Sequence, residues 1–172
     1  MKQEKAGKIE YEVRKMTLTQ KEISFLKDLK NQEQLCVDKY NRYAANACDN
    51  QLKTLFTQIG QVEQGHLDTI NQMLNGTVPS MSSGSGGQKA TSSTPTPTYT
   101  NNTNNEAKQN DCFLCSDTLA TEKHVSDVYN TSIFEFINPA MRDALNHIQK
   151  EEQQHGEGIF NYMKQKGWYQ PQ

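Results

Sequence analysis

Four glutamates and two histidines interrupt the apolar positions of otherwise amphipathic segments. Two pairs follow the pattern Glu-x-x-His, which places a carboxylate and an imidazole one helical turn apart on the same face. In each half of the chain a further glutamate lies 30 residues before the pair. The six residues are Glu33, Glu63, His66, Glu122, Glu152 and His155. Carboxylates and imidazoles on one face are typical metal ligands, so this pattern predicts a metal site.

Whether the four glutamates can lie in contact depends on their levels along the axis of the helices. In an antiparallel hairpin, residues equidistant from the turn lie at the same level. Glu33 and Glu63 are centred on residue 48, and Glu122 and Glu152 are centred on residue 137. Each carboxylate is therefore about 15 residues, or roughly 22 Å, from its turn. This spacing predicts that all six side chains share one layer near the middle of a bundle.

Such a layer would be unstable without positive charge beside it, because four buried carboxylates repel one another. Two divalent cations would balance the four negative charges, and oxygen with imidazole ligands favours Fe or Mn, with Zn possible. One glutamate from each of two helices and Glu-x-x-His from the other two is typical of ferritin-like di-iron and di-manganese bundles. A bundle that keeps the residues but holds no metal, or one ion only, is the alternative.

Other polar residues near the apolar faces of these segments have simpler interpretations. Tyr40 and Tyr129 lie seven residues beyond Glu33 and Glu122. We expect them to pack in the core with a hydroxyl partner, and a role beside the metal ligands is the alternative. His124 and His147 fit no apolar stripe, which predicts that both lie on the surface.

The elements that position the layer are predicted to be four helices. A capping box at Thr19–Glu22 begins the first, and the chain turns near Asp49-Asn50 into the second, which ends at Gly76. Asn138-Pro139 has the form of an N-cap followed by proline at the first helical position, and Gly167 ends the last helix. Short turns within each pair of helices predict antiparallel hairpins.

A low-complexity stretch separates the two hairpins. It has 34 residues, of which 24 are Ser, Thr, Gly, Pro or Asn, and cannot bury enough apolar surface to order itself. A flexible segment of this length reaches the roughly 40 Å of a bundle, and a pure tether would tolerate the loss of about ten residues. The expected units are a mobile N-terminal arm (1–16), a first hairpin (17–76), a linker (77–110), a second hairpin (111–167) and a C-terminal tail (168–172).

The two hairpins resemble each other. A shift of 89 positions aligns the metal-ligand candidates of one with those of the other, and aligns Tyr40 with Tyr129. This internal duplication predicts an all-α fold, a ferritin-like four-helix bundle built from two duplicated helical hairpins joined by a long flexible crossover. A homodimer that exchanges hairpins would build the same layer between two chains.

Composition excludes several classes of function. The net charge is −2, so nothing favours nucleic acid or an anionic membrane. No apolar run is long enough to span a bilayer, and the N-terminus lacks a secretory signal, so a cytoplasmic chain is the default. The four cysteines, Cys36, Cys48, Cys112 and Cys115, include one C-x-x-C pair, where a zinc ribbon or rubredoxin site needs two. We expect free thiols, with oxidation between assembled chains as the alternative.

The C-terminal residues carry a resemblance to a known family. The helix containing Lys150–His155 leads into Asn161-Tyr-Met-Lys-Gln-Lys-Gly-Trp-Tyr169, and a proline follows. With this ending, Cys112–Tyr169 is similar to the Coat F domain of bacterial spore coat proteins, and Thr19–Gly76 resembles a diverged second copy. The resemblance implies a ferritin-like helical fold and a place in the protein shell of the endospore or on the forespore surface.

The functional expectation combines the resemblance with the carboxylate pattern. We expect a sporulation-associated coat protein, made in the mother-cell cytoplasm, whose partners are other coat proteins or further copies of itself. Its bundle would carry two divalent ions. The alternative is a di-iron or di-manganese oxidoreductase of the catalase or rubrerythrin type that acts on peroxide. The family resemblance does not itself imply an enzyme.

Overall fold

Four long helices make up nearly all of the structure. The computed structural model describes residues 17–79, 96–99 and 103–170. The helices are α1 (Gln20–Asn46), α2 (Asn50–Leu74), α3 (Asn105–Ile133) and α4 (Pro139–Gln165). The described residues form no strand. The all-α bundle of two hairpins predicted from the sequence is therefore confirmed.

The helix ends follow the capping residues of the sequence. Thr19 and Glu22 form a reciprocal capping box at the start of α1, and the Asp49 carboxylate caps α2. Asn138 caps α4, with Pro139 at its first position. Gly76 and Gly167, which follow α2 and α4, have φ values of 74° and 70°, a conformation that glycine adopts without a steric penalty.

The helices pack as two antiparallel hairpins laid against each other. In the first hairpin α1 packs along α2, in the second α3 packs along α4, and the hairpins meet through α1 with α3 and α2 with α4. The first turn lies beside the start of α3, because the backbone N–H groups of Cys48 and Asp49 donate to the Asp111 carboxylate. At the other end, Ile137 in the second turn donates its N–H to Glu22.

This arrangement requires the chain between α2 and α3 to pass from one end of the bundle to the other. The helix α2 begins at the first turn and ends about 37 Å away, at 1.5 Å per residue. The helix α3 begins again beside the first turn. The described helices therefore have the order and the directions that a crossover between α2 and α3 requires.

The second hairpin starts earlier than predicted. The helix α3 begins at Asn105 and not at residue 111, because Asn104 caps it by accepting from Ala107 N. The composition of the stretch, rich in asparagine, concealed this first turn and a half. The expected mobile arm (1–16) lies outside the described residues, as do most of the linker and the last two residues of the tail.

A short part of the linker packs on the bundle end. In the described segment 96–99, the N–H and hydroxyl of Thr98 both donate to Asp49. The Tyr99 hydroxyl donates to Asp111 Oδ2 over 2.7 Å, and Lys166 Nζ lies 4.1 Å from the centre of its ring. Thr98 and Tyr99 are therefore bound to carboxylates at the end of the bundle, which a pure tether would not require.

Candidate metal centre

The structure brings all six predicted ligand residues together at mid-bundle. The helices α1 and α3 each supply one glutamate, while α2 and α4 each supply a glutamate and a histidine. None of the six side chains is more than slightly accessible to solvent. The layer contains Glu33, Glu63, His66, Glu122, Glu152 and His155.

These residues form two overlapping groups of four. One group is Glu33, Glu63, His66 and Glu152, and the other is Glu63, Glu122, Glu152 and His155. Within each group, one ligand atom from every residue lies within 4.8 Å of the others. The groups share two glutamates, so two ions held here would be neighbours.

The shared glutamates divide their oxygens between the two histidines. Glu63 directs Oε2 toward His66 Nδ1, at 3.3 Å, and Oε1 toward His155 Nδ1, at 3.0 Å. Glu152 directs Oε1 toward His66 Nδ1, at 3.0 Å, and Oε2 toward His155 Nδ1, at 3.8 Å. The two rings are stacked with centroids 5.7 Å apart. Each of these two carboxylates therefore faces both halves of the layer, with a different oxygen toward each histidine.

The other two glutamates belong to one position each and are fixed by tyrosines. The Tyr129 hydroxyl donates to Glu33 Oε1, and the Tyr40 hydroxyl donates to Glu122 Oε1. Both tyrosines are completely buried. The core packing with a hydroxyl partner expected for Tyr40 and Tyr129 is present, and the partner in each case is a candidate metal ligand. The second oxygen of each glutamate remains directed at the layer.

Burial has a strong electrostatic effect on these two glutamates. Loss of hydration raises the pKa of Glu33 to about 8, and it raises the pKa of Glu122 well above its ordinary range. The neighbouring Glu152 carboxylate adds to both shifts. Without a cation, the layer therefore favours the protonated form of both groups.

The shared glutamates behave differently because each lies beside both imidazoles. Burial acts to raise the pKa of Glu152, but the adjacent imidazoles of His155 and His66 bring it below its ordinary value. Burial would lower the pKa of His66 and His155, and the surrounding carboxylates raise both well above the ordinary value. The layer thus requires positive charge, from bound protons or from cations.

The donor set fits divalent metal ions. Several buried ligand atoms have no hydrogen-bond partner among the described residues: Glu33 Oε2, Glu63 Oε1, Glu122 Oε2, both Glu152 oxygens and His155 Nδ1. Unpaired buried carboxylate oxygens are costly, and cation coordination is the ordinary way of satisfying them. Four carboxylates and two imidazoles match the charge and ligand preference of two Fe or Mn ions.

Sequence reasoning missed two residues close to the layer. Glu151 Oε2 lies 2.9 Å from His66 Nε2, on the side of the ring that faces away from the candidate ion positions. Cys36 is buried on α1, and burial, with the nearby glutamates, raises the pKa of its thiol. The sequence carries no signal for Glu151, because it lies beside the apolar stripe of α4 and its imidazole partner is on another helix.

The remaining candidates lie where the sequence suggested. His124 and His147 are exposed, although His147 Nε2 is 3.4 Å from Glu151. All four cysteines are free thiols: Cys36 and Cys115 are buried, Cys48 is exposed and Cys112 is partly exposed. No described helix has the length and apolar character that crossing a membrane would require.

Fold and site together define a four-helix bundle with a duplicated carboxylate and imidazole layer. Residues 110–172 match the Coat F domain family. The second hairpin of this chain is therefore a Coat F domain, as its C-terminal sequence suggested. Neither the curated proteins nor the solved structures compared with the chain gave a match.

Proposed function

We propose that this chain is a component of the spore coat whose four-helix bundle binds two divalent metal ions, Fe or Mn. The Coat F domain supports the first part of this proposal. The observation that carries the second is the division of oxygens by Glu63 and Glu152, each of which offers one oxygen to either half of the layer. Unrelated buried glutamates have no reason to adopt such an arrangement.

The roles of the ligands follow from their positions. Glu63 and Glu152 would contribute to both ion positions, Glu33 and His66 would complete one position, and Glu122 and His155 would complete the other. Tyr40 and Tyr129 hold the non-bridging glutamates by hydrogen bonds. Each ion receives ligands from both hairpins, so the metal would fasten the two halves of the bundle to each other.

A peroxide-disproportionating oxidoreductase is the second candidate function. The shared glutamates favour it, because they would place two redox-active ions side by side, which a purely structural metal does not need. Bound Fe or Mn would supply the two-electron redox chemistry. One peroxide is oxidised to O₂ while another is reduced to water, so no external reductant is required. The chain's own contribution is a buried layer that limits access of water.

Elemental analysis of the full chain tests the metal proposal. The protein is purified without a metal-binding tag, stripped with chelator and reconstituted anaerobically with Fe(II) or Mn(II). We expect about two ions per chain, as in other bundles with this ligand set. Absence of bound metal after both reconstitutions would refute the metal proposal and leave a metal-free coat component. Release of O₂ from hydrogen peroxide by the loaded protein decides the second candidate.

The cellular part of the proposal has a separate test. We expect the protein to accumulate in the mother cell during sporulation and to appear in the insoluble extract of purified spores, together with other coat proteins or with further copies of itself. Abundant protein in vegetative cells, absent from spores, would contradict a coat role and favour the cytoplasmic enzyme.

A further inference from the structure

The two halves of the metal layer differ in one contact. His66 directs Nδ1 into the layer and has its Nε2 atom 2.9 Å from Glu151 Oε2. The position that corresponds to Glu151 in the first hairpin, 89 residues earlier, is Val62. An aliphatic side chain accepts no hydrogen bond, so the duplicated sequence provides His155 with no such carboxylate.

We propose that Glu151 is a positioning residue for His66 and makes the two ion positions unequal. This inference depends on the metal-binding function proposed above. An imidazole that donates its Nε2–H to a carboxylate has its tautomer and ring orientation fixed, and its Nδ1 becomes a stronger ligand. The position formed by Glu33, Glu63, His66 and Glu152 therefore binds its ion more tightly than the position containing His155.

One further contact and the burial of Glu151 support the assignment. Glu151 Oε2 is also 3.4 Å from His147 Nε2, one turn earlier on α4, so Glu151 is held between two imidazoles. Its side chain is mostly buried, with 15% exposed. In the first hairpin the position of His147 is occupied by Gln58. Glu151 also adds a negative charge on the His66 side of the layer, which favours a cation there.

Stepwise titration of the metal-free full chain with Mn(II) tests this inequality. Electron paramagnetic resonance measures free Mn(II), and thus resolves a tight and a weak step. Loss of the carboxylate partner of a ligand histidine typically weakens metal binding by about 10–100-fold. In Glu151→Ala we therefore expect the tight step to weaken by about this factor and the weak step to remain unchanged. Glu157→Ala, an exposed position on the same helix, is the control.

Two additional variants assign the steps to positions. Glu33→Gln should affect the same step as Glu151→Ala, whereas Glu122→Gln should affect the other step. Val62→Glu supplies the missing carboxylate near His155 and should strengthen the weak step. Because it adds a group and removes no contact of Glu151, this variant remains informative if Glu151→Ala folds poorly.

The outcomes separate this inference from the proposed function. If the wild-type chain binds no Mn(II), the metal function fails and the inference fails with it. If two Mn(II) ions bind and Glu151→Ala leaves both steps unchanged, or weakens both equally, Glu151 does not distinguish the positions. In that case the inference is overturned while the metal function stands.

Discussion

The buried hydroxyl of Tyr129 on α3 donates a hydrogen bond to the carboxylate of Glu33 on α1. The reverse contact joins Tyr40 on α1 to Glu122 on α3. Each hairpin therefore orients the non-bridging glutamate of the other. The duplicated tyrosines therefore do not act within their own hairpins, because each one donates to a glutamate of the other hairpin. The candidate metal layer is thus a property of the docked pair of hairpins.

Loss of one tyrosine hydroxyl should destabilise the metal-free bundle. Tyr129→Phe leaves Glu33 Oε1 buried without its donor, which costs about 1–3 kcal/mol of the free energy of unfolding. Tyr43→Phe is the matched control, since Tyr43 donates to the partly exposed Asp117, which water can still solvate. Urea unfolding in the presence of chelator measures both. Equal costs for the two variants would contradict the argument.

Bridging and non-bridging glutamates should differ in their effect on bound metal. Glu63→Gln removes a negative charge that both ion positions share and replaces one of the two oxygens with an amide nitrogen, whereas Glu33→Gln removes a negative charge from one position only. We expect Mn(II) per chain to fall from about two to well below one in Glu63→Gln, and to about one in Glu33→Gln. Elemental analysis after reconstitution measures this ratio.

The same comparison applies to the second half of the layer. Glu152→Gln should behave like Glu63→Gln, and Glu122→Gln like Glu33→Gln. Circular dichroism establishes that each variant keeps its helical content. If all four variants bound as much metal as the wild-type chain, the assignment of the layer would be wrong.

The layer was predictable from the sequence because the duplication, and the level of each residue along the bundle axis, can both be determined by counting residues from the turns. The turns at Asp49 and Asn138 fix the level of every residue in their hairpins, so the glutamates could be placed at one level without coordinates. Glu151 was not predictable as a metal-site residue, because it lies beside an apolar stripe and acts only through a ring on another helix. Contacts of this kind depend on how the hairpins dock.

The ionised carboxylate of Glu22 should make the stability of the protein depend on pH. Burial acts to raise its pKa, but hydrogen bonds from the backbone N–H groups of Thr19 and Ile137 hold it below the ordinary value of 4.5. A depressed pKa in the folded state contributes stability that is present above the unfolded pKa. This contribution is lost as the pH falls through the folded pKa.

We therefore expect Glu22→Gln to lower the free energy of unfolding at neutral pH. The difference from the wild-type chain should shrink steadily as the pH falls below 4.5. Glu106→Gln is the control, because Glu106 also lies in the first turn of a helix but is exposed. Chemical unfolding from pH 7 to pH 3 measures both variants. A pH-independent difference for Glu22→Gln would show that its ionised form is not favoured by folding.

The docked segment 96–99 changes what the linker can tolerate. The chain leaves α2 at one end of the bundle and is fixed at the other end, where Thr98 and Tyr99 contact Asp49 and Asp111. The chain from Gly76 to Thr98 must therefore cover the length of α2, about 37 Å at 1.5 Å per residue. Deletion of residues 80–93 leaves eight residue steps between Gly76 and Thr98, which span at most about 29 Å when fully extended.

Deletion of residues 80–93 should consequently pull Thr98 and Tyr99 off the bundle, although a pure tether between α2 and α3 would tolerate it. Losing these hydrogen bonds costs about 1–3 kcal/mol, or a few degrees in melting temperature for a chain of this size. Deletion of only three residues is the control, since the remaining segment still spans the bundle. Tyr99→Ala should reproduce part of the loss. An unchanged melting temperature in the deletion of residues 80–93 and in Tyr99→Ala would show that the docked segment adds no stability.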